Sequence, residues 1–461
     1  MAAAGSFMAR GIVSERVSSV LRRATDTRAL RMGEGVLADT ADVFRACFGE
    51  APAVVVADMN TFRAAGGRVA DSLRHAGVTT GEPFVFDDPD LHARDEHVRR
   101  IEEVLRPTTA IPVAVGSGTI NDLCKLAAHR CGRPYMSVAT AASMDGYTAF
   151  GASITCEGAK QTFFCPGPRA VVADLEVLCN APPELSAAGY GDLLAKVPAG
   201  ADWLLADALG IEPIESEAWA LVQGPLREWL ARPEEIRRGD PAAVGRLIEG
   251  LLMTGFAMQG SKSSRPASGA EHQFSHLWDM QDHRYCGRIP LHGCKVAIGT
   301  LASTLLYEAL FAGPVAELDV DEVCRRWPGP DELADQVRRS HDRPELAAAA
   351  VRETQAKYVD RSALADRLRT LKTLWPELRR RLADQLIPSS ELRRMLRRAG
   401  APDEPERIGI SLERLRRSYV EAQQIRRRFT VLDLAVQAGW MGACLERLFA
   451  ADGPWRRGRA D

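Results

Sequence analysis

Four of the nine histidines in this 461-residue chain, His272, His276, His283 and His292, fall between Gly260 and Gly299. His272 and His276 stand four residues apart, so on a helix their imidazoles share one face and come within reach of a single ion. His292 lies beyond Pro290 and enters from a second helix. A divalent metal that does chemistry takes a few protein ligands, often with a carboxylate among them, and keeps a position open. The best carboxylate upstream is Asp192, in the run GYGDLLAK that starts at Gly189. Taken alone, Asp192 also reads as a helix N-cap, and His276 as a packed neighbour of a ligand.

The elements that must position these residues change character along the chain. Val54–Val56, the run EPFVFDD from Glu82, Ile111–Val115, Pro134–Thr140 and Val171–Ala173 are short apolar runs, the pattern of parallel strands covered on both faces. Helical segments lie between them, at about 61–76, 95–105 and 123–129, and a hairpin-like pair lies before the last strand. This alternation predicts an open, mostly parallel α/β sheet. Asp58 ends one strand, at the edge where open α/β sheets place ligand contacts. Ile111–Val115 runs into Gly116, Ser117, Gly118, Thr119 and Ile120 and then a helix. A strand, a glycine turn and a helix N-terminus make a phosphate cradle, although a tight turn alone gives the same letters. Thr140, Ser143 and Asp145 follow the next strand and face the same crevice. After Ala181 only helical periodicity remains. The expected domains are 1–181, a nucleotide-binding α/β domain, and 182–461, an all-helical domain.

Bulk properties narrow the class. A hydrophobic fraction of 46%, a charged fraction of 26% and a net charge of −2 fit a globular protein and give no reason for a nucleic-acid partner. The Arg-rich helices of the last 130 or so residues are expected to be solvated faces, and the tail from Ala451 loosely ordered. The ten cysteines form no CxxC pair and are expected to be reduced thiols in a cytoplasmic protein. The first 17 residues do not read as a signal peptide. No apolar run is expected to span a bilayer.

Four stretches then resemble one known family in its own order: GSGTINDLCK from Gly116, TAASMDGYTAFGASIT from Thr140, GYGDLLAKVPAGADW from Gly189, and SRPASGAEHQFSH from Ser264 with Leu291–Gly293. They are similar to sn-glycerol-1-phosphate dehydrogenase, a relative of glycerol dehydrogenase, dehydroquinate synthase and the iron-dependent alcohol dehydrogenases. The resemblance implies a Rossmann-like N-terminal domain, an all-α C-terminal domain and one Zn²⁺, Ni²⁺ or Fe²⁺ held by Asp192, His272 and His292. It implies that NAD(H) or NADP(H) binds Gly116, Ser117, Gly118, Thr119, Ile120, Thr140 and Ser143, with Asp58 near the adenosine ribose. A carboxylate at Asp58 favours NAD, because it repels a 2′-phosphate. His276 and Asp145 are the implied catalytic residues, and Asp145, Asp192 and His276 the implied substrate contacts. Lys262 and Arg265, just before the ligand helix, are expected to clamp a substrate phosphate.

The implied reaction is reduction of dihydroxyacetone phosphate, or a related phosphorylated ketone, to sn-glycerol 1-phosphate, a step of phospholipid metabolism. The expected assembly is a homo-oligomer. Two alternatives remain at this point. One is a dehydroquinate synthase-like, phosphate-eliminating cyclase, which consumes no net NADH. The other is a non-catalytic relative that binds metal or nucleotide.

Overall fold

The computed structural model describes residues 15–456 except 79–80, 157–158 and 314. The expectation of no signal peptide therefore falls mainly on residues outside the described ones. Two compact units are formed, and each draws on two separate stretches of chain. The first comprises residues 1–193 and 220–264, and the second 194–219 and 265–461. The change from α/β to helical chain does come near residue 181, between the last strand and a helix that starts at Pro183. Packing divides the chain elsewhere, because the helices of 220–264 join the sheet-bearing unit.

In that unit, strands Ala29–Gly33 (β1), Ala53–Asp58 (β2), Phe84–Phe86 (β3), Ile111–Gly116 (β4) and Met136–Ala139 (β5) form a parallel sheet. Ala152–Cys156 (β6) and Ala159–Phe163 (β7) make a separate antiparallel hairpin, and Ala170–Asp174 (β8) returns to the sheet. The order is β1-β8-β5-β4-β2-β3. The strands read as apolar runs because both faces are covered. Val55, Val113, Val138 and Val172 pack under helices on one face. Val54, Val56 and Ala114 pack on Val98, Ile101, Leu123 and Leu126 on the other. Asp58, Gly116, Ala139 and Asp174 end their strands on one rim. The direction of strand addition reverses between β2 and β4, so Asp58 and Gly116 flank the switch point where such sheets bind ligands.

The helices that position the candidate residues are Gly118–Arg130 (α1), Pro183–Leu194 (α2), Lys196–Ala208 (α3), Pro241–Ser261 (α4), Ala270–Met280 (α5) and His292–Phe311 (α6). Pro198 does not break α3. It stands in the first turn, where the missing N–H has no intrahelical partner to lose. The helix expected at 61–76 starts at Met59, where the Asp58 carboxylate caps it, and widens over Phe62–Gly66 before its regular part. By length and composition α6 is the one helix among the described residues able to cross a membrane, but 83% of its apolar window is buried within the protein. It is a core helix of the second unit.

All ten cysteines are free, as expected. The Arg-rich C-terminal helices do carry solvated ion pairs, such as Arg380 with Glu377 and Asp384. Of the tail, residues 451–456 are better ordered than the sequence suggested, since Trp455 is buried and stacks on Phe449, and the rest lies outside the described residues.

Candidate metal and cofactor sites

Asp192 is not an N-cap. It lies in the last turn of α2 and is fully buried. Its Oδ2 accepts the backbone N–H of Asp145 at 3.0 Å. Three residues earlier on both segments, Gly189 passes so close to the 140–145 turn that a Cβ there would lie 1.9 Å from Ala142 O. Only glycine lets the helix ride on that turn, and one helical turn later the same face delivers the Asp192 carboxylate. The loop beyond is held from below by Lys125 of α1. Its buried ammonium donates to Gly146 O at 3.1 Å and to Ala149 O and Gly151 O at 2.9 Å, so all three protons are used. Thr148 donates to Leu252 O of α4 at 2.6 Å. Asp145, on this braced loop, therefore meets Asp192 of α2, and both are expected substrate contacts.

The expected cofactor residues gather on the strand rim of the same unit. Thr140 N–H donates to Gly116 O at 3.2 Å, joining the ends of β4 and β5. Ser117 is the N-cap of α1 and makes no side-chain cap, so its hydroxyl does not satisfy the first backbone N–H groups of α1. Asp58 Oδ1 accepts from Asn60 N and Thr61 N at 2.8 and 2.9 Å. Oδ2 holds no hydrogen bond among the described residues. Lys262 reaches Thr25 at 3.1 Å and Asp26 at 3.4 Å in this unit.

In the second unit, α5 and α6 bring three histidines together. The ring centroids of His272 and His292 are 5.3 Å apart, and those of His272–His276 and His276–His292 are 6.1 Å apart. The closeness of α5 and α6 depends on Gly299, where a Cβ would sit 2.2 Å from Glu271 O. His292 stands in the first turn of α6, and its Nδ1 lies 3.2 Å from Ser275 Oγ. His272 Nδ1 lies 2.9 Å from Glu271 Oε1. A carboxylate only accepts, so Nδ1 carries the proton and the lone pair is on Nε2. Neutral imidazoles that present Nε2 are what a divalent cation takes, so the donor chemistry fits a metal.

His283, by contrast, is buried away from this cluster. Its Nε2 lies 2.6 Å from Ile408 O and its Nδ1 2.7 Å from Arg414, and burial lowers its pKa. His129 is exposed. Arg265, expected to clamp a substrate phosphate, lies in the interior. That guanidinium is 2% exposed and donates to Asp202 O at 2.7 Å and Phe429 O at 3.2 Å, with Glu212 at 3.3 Å. It is committed to the interior of its unit.

Sequence reasoning missed two fully buried carboxylates, Asp202 and Glu271. Asp202 accepts from Tyr307 OH, Ala270 N and Val431 N at 2.7–2.8 Å. Burial first, and then the charge of Glu271, push the Asp202 pKa up to about 7. The available signal was acidic residues inside otherwise apolar helical runs, GADWLL and AEHQF.

A model of the family described as iron-containing alcohol dehydrogenase matches residues 31–182. A glycerol-1-phosphate dehydrogenase [NAD(P)+] of Geobacillus thermodenitrificans is 32% identical over 384 residues, which cover 82% of this chain and 85% of the relative. A protein of the same name from Halalkalibacterium halodurans is 36% identical over 256 residues, and there the match covers 55% of this chain and 64% of the relative's length. One from Pyrococcus furiosus is 33% identical over 284 residues, covering 61% and 78%. Among solved structures, glycerol dehydrogenase from Schizosaccharomyces pombe superposes with a TM-score of 0.58 at 17% identity, covering 94% of this chain and 92% of that one. A probable glycerol dehydrogenase from Sinorhizobium meliloti gives 0.57 at 16%, covering 91% and 98%, and these two likenesses establish the shared fold. A two-unit α/β and helical chain with paired histidines and this degree of identity belongs to the glycerol-1-phosphate dehydrogenase family, within the iron-containing alcohol dehydrogenases.

Proposed function

We propose that this protein reduces dihydroxyacetone phosphate to sn-glycerol 1-phosphate with NADH or NADPH, in a metal-dependent reaction. The observation that carries the reading is the approach of His272 and His292 to 5.3 Å, with Nδ1 of His272 already occupied by a carboxylate. The names borne by the relatives narrow the substrate. Asp192, His272 and His292 are the ligands, and Zn²⁺, Ni²⁺ and Fe²⁺ all suit that donor set. Bound there, the cation supplies Lewis acidity that stabilises negative charge on the ketone oxygen.

The remaining work falls to the protein. The N–H groups opening α1, from Gly118 to Ile120, hold the dinucleotide pyrophosphate, with Gly116, Ser117, Thr140 and Ser143 lining its path. Asp58 Oδ2 accepts from the ribose. Its charge favours NAD without excluding NADP. Asp145 holds a substrate hydroxyl, fixed in place because its backbone is tied to Asp192. His276, one turn beyond His272, delivers the proton to the reduced oxygen. Lys262, with its side chain 44% exposed, is the cation we assign to the substrate phosphate, and Arg265 supports the ligand helix instead. We place the enzyme in the cytoplasm as a homo-oligomer.

The test is NADH oxidation with dihydroxyacetone phosphate after metal stripping, and again after adding back each ion. Turnover restored by metal is expected. A protein that binds metal and NAD(H) yet consumes no NADH with this ketone would overturn the assignment.

A further inference from the structure

Glu271 is an expensive residue to keep where it is. It is fully buried in the first turn of α5, and a buried carboxylate without a countercharge costs several kcal/mol by desolvation. No Lys or Arg stands within ion-pair distance of it among the described residues, and the buried Arg428 guanidinium offsets the cost only from further away. Oε1 accepts from Gly269 N–H at 2.6 Å and faces His272 Nδ1 at 2.9 Å. Oε2 has no hydrogen-bond partner. A second carboxylate, Asp202, stands close behind and receives Ala270 N–H at 2.7 Å. A Cβ on Gly269 would lie 2.4 Å from Asp202 Oδ2 and 3.0 Å from Glu271 Oε2, so this turn is closed around both acids. Hydrophobic packing alone favours Gln or Leu at such a position. An anionic acceptor is kept where an imidazole must hold one tautomer, one ring orientation and raised basicity.

We infer that Glu271 is a positioning residue for His272, holding Nδ1–H so that Nε2 faces the metal, and that Asp202 locks the turn from which Glu271 acts. This inference rests on the metal reading proposed above. It adds that much of the affinity for the ion comes from a carboxylate that never touches it.

The test uses the full chain, stripped of metal. Zn²⁺ affinity is measured by competition with a chromogenic chelator, and the ligand field by the visible spectrum of Co²⁺-loaded protein. Glu271→Ala is expected to weaken zinc binding about 10–100-fold and to shift the cobalt bands. Glu271→Gln keeps an acceptor of the same shape, so it is expected to fall between Ala and wild type. It also decides the question if the Ala variant does not fold. A purely structural role would lower the melting temperature of the metal-free protein and leave zinc affinity and cobalt spectrum alone, and that result would overturn the inference. His272→Ala is the control that abolishes binding. If the wild-type protein binds no zinc, nickel or iron, the metal reading fails and this inference with it. If wild type binds and Glu271→Gln and Glu271→Ala both bind within twofold of it, only the inference fails.

Discussion

Gly189→Ala isolates one geometric claim. In a helix interior Ala is preferred over Gly by about 0.5–1 kcal/mol, so propensity alone predicts a more stable protein. The structure predicts the reverse. The new methyl would stand 1.9 Å from Ala142 O, where ordinary contact needs about 3.4 Å or more, so helix and turn must separate by roughly 1.5 Å. Overpacking of this kind costs about 1–3 kcal/mol. Asp192 lies three residues on, along the same face, and its hydrogen bond to Asp145 N–H is 3.0 Å long. A separation of that size breaks it. Displacing a reacting group by about 1 Å lowers turnover about 100-fold. The expected phenotype is therefore a melting temperature lower by a few degrees, a kcat/KM with dihydroxyacetone phosphate down about 100-fold, and weaker metal retention. Gly245→Ala, in α4 of the same unit, is the matched control. Its added methyl meets nothing closer than Leu175 at 3.7 Å, so stability should rise slightly and kinetics stay unchanged. If Gly189→Ala matched Gly245→Ala in both melting temperature and kcat/KM, the coupling of helix position to ligand position would be refuted.

Lys125→Met leaves three loop carbonyls without their buried donor, at a cost of about 1–3 kcal/mol for each group left unsatisfied. Calorimetry would read this as a loss of roughly 10 °C, together with reduced turnover. An unchanged melting temperature would show that the loop does not depend on the ammonium. Asp202 binds its proton more tightly when folded than when unfolded, since its pKa rises from 3.8 to about 7. Stability contributed by the protonated form is full below the unfolded pKa and declines as pH climbs from about 4 to 7. Thermal unfolding across that range should show this decline in wild type and a flatter profile in Asp202→Asn, and equal slopes would refute the shift. Arg265→Ala should lower the melting temperature and leave the KM for the phosphorylated ketone unchanged. A KM raised tenfold in a stable variant would return Arg265 to the phosphate site.

The strands were readable because a two-sided parallel sheet writes itself as runs such as Val54–Val55–Val56, and the histidines because α5 and α6 obey simple spacing. Asp95–Leu105 was bounded by the residues expected from its pattern. What escaped depends on three-dimensional proximity. Nothing local in QDHRY says that His283 is turned in toward Ile408 O. Arg265 looked like a phosphate ligand because sequence shows its charge and not the carbonyls of Asp202 and Phe429. Glu271 was hidden by the histidine beside it.

The chain passes between the two units three times, after Leu193, Trp219 and Ser264. During synthesis the sheet-bearing unit thus waits for residue 264 before its last helices arrive, and residues 194–219 emerge long before the C-terminal partners they pack with. Asp202, made early, receives Val431 N–H only near the end. An expression fragment cut at residue 181 would give neither unit its full complement of helices. Fragments meant to carry one unit should instead join 1–193 to 220–264 through a short linker, or keep the chain whole.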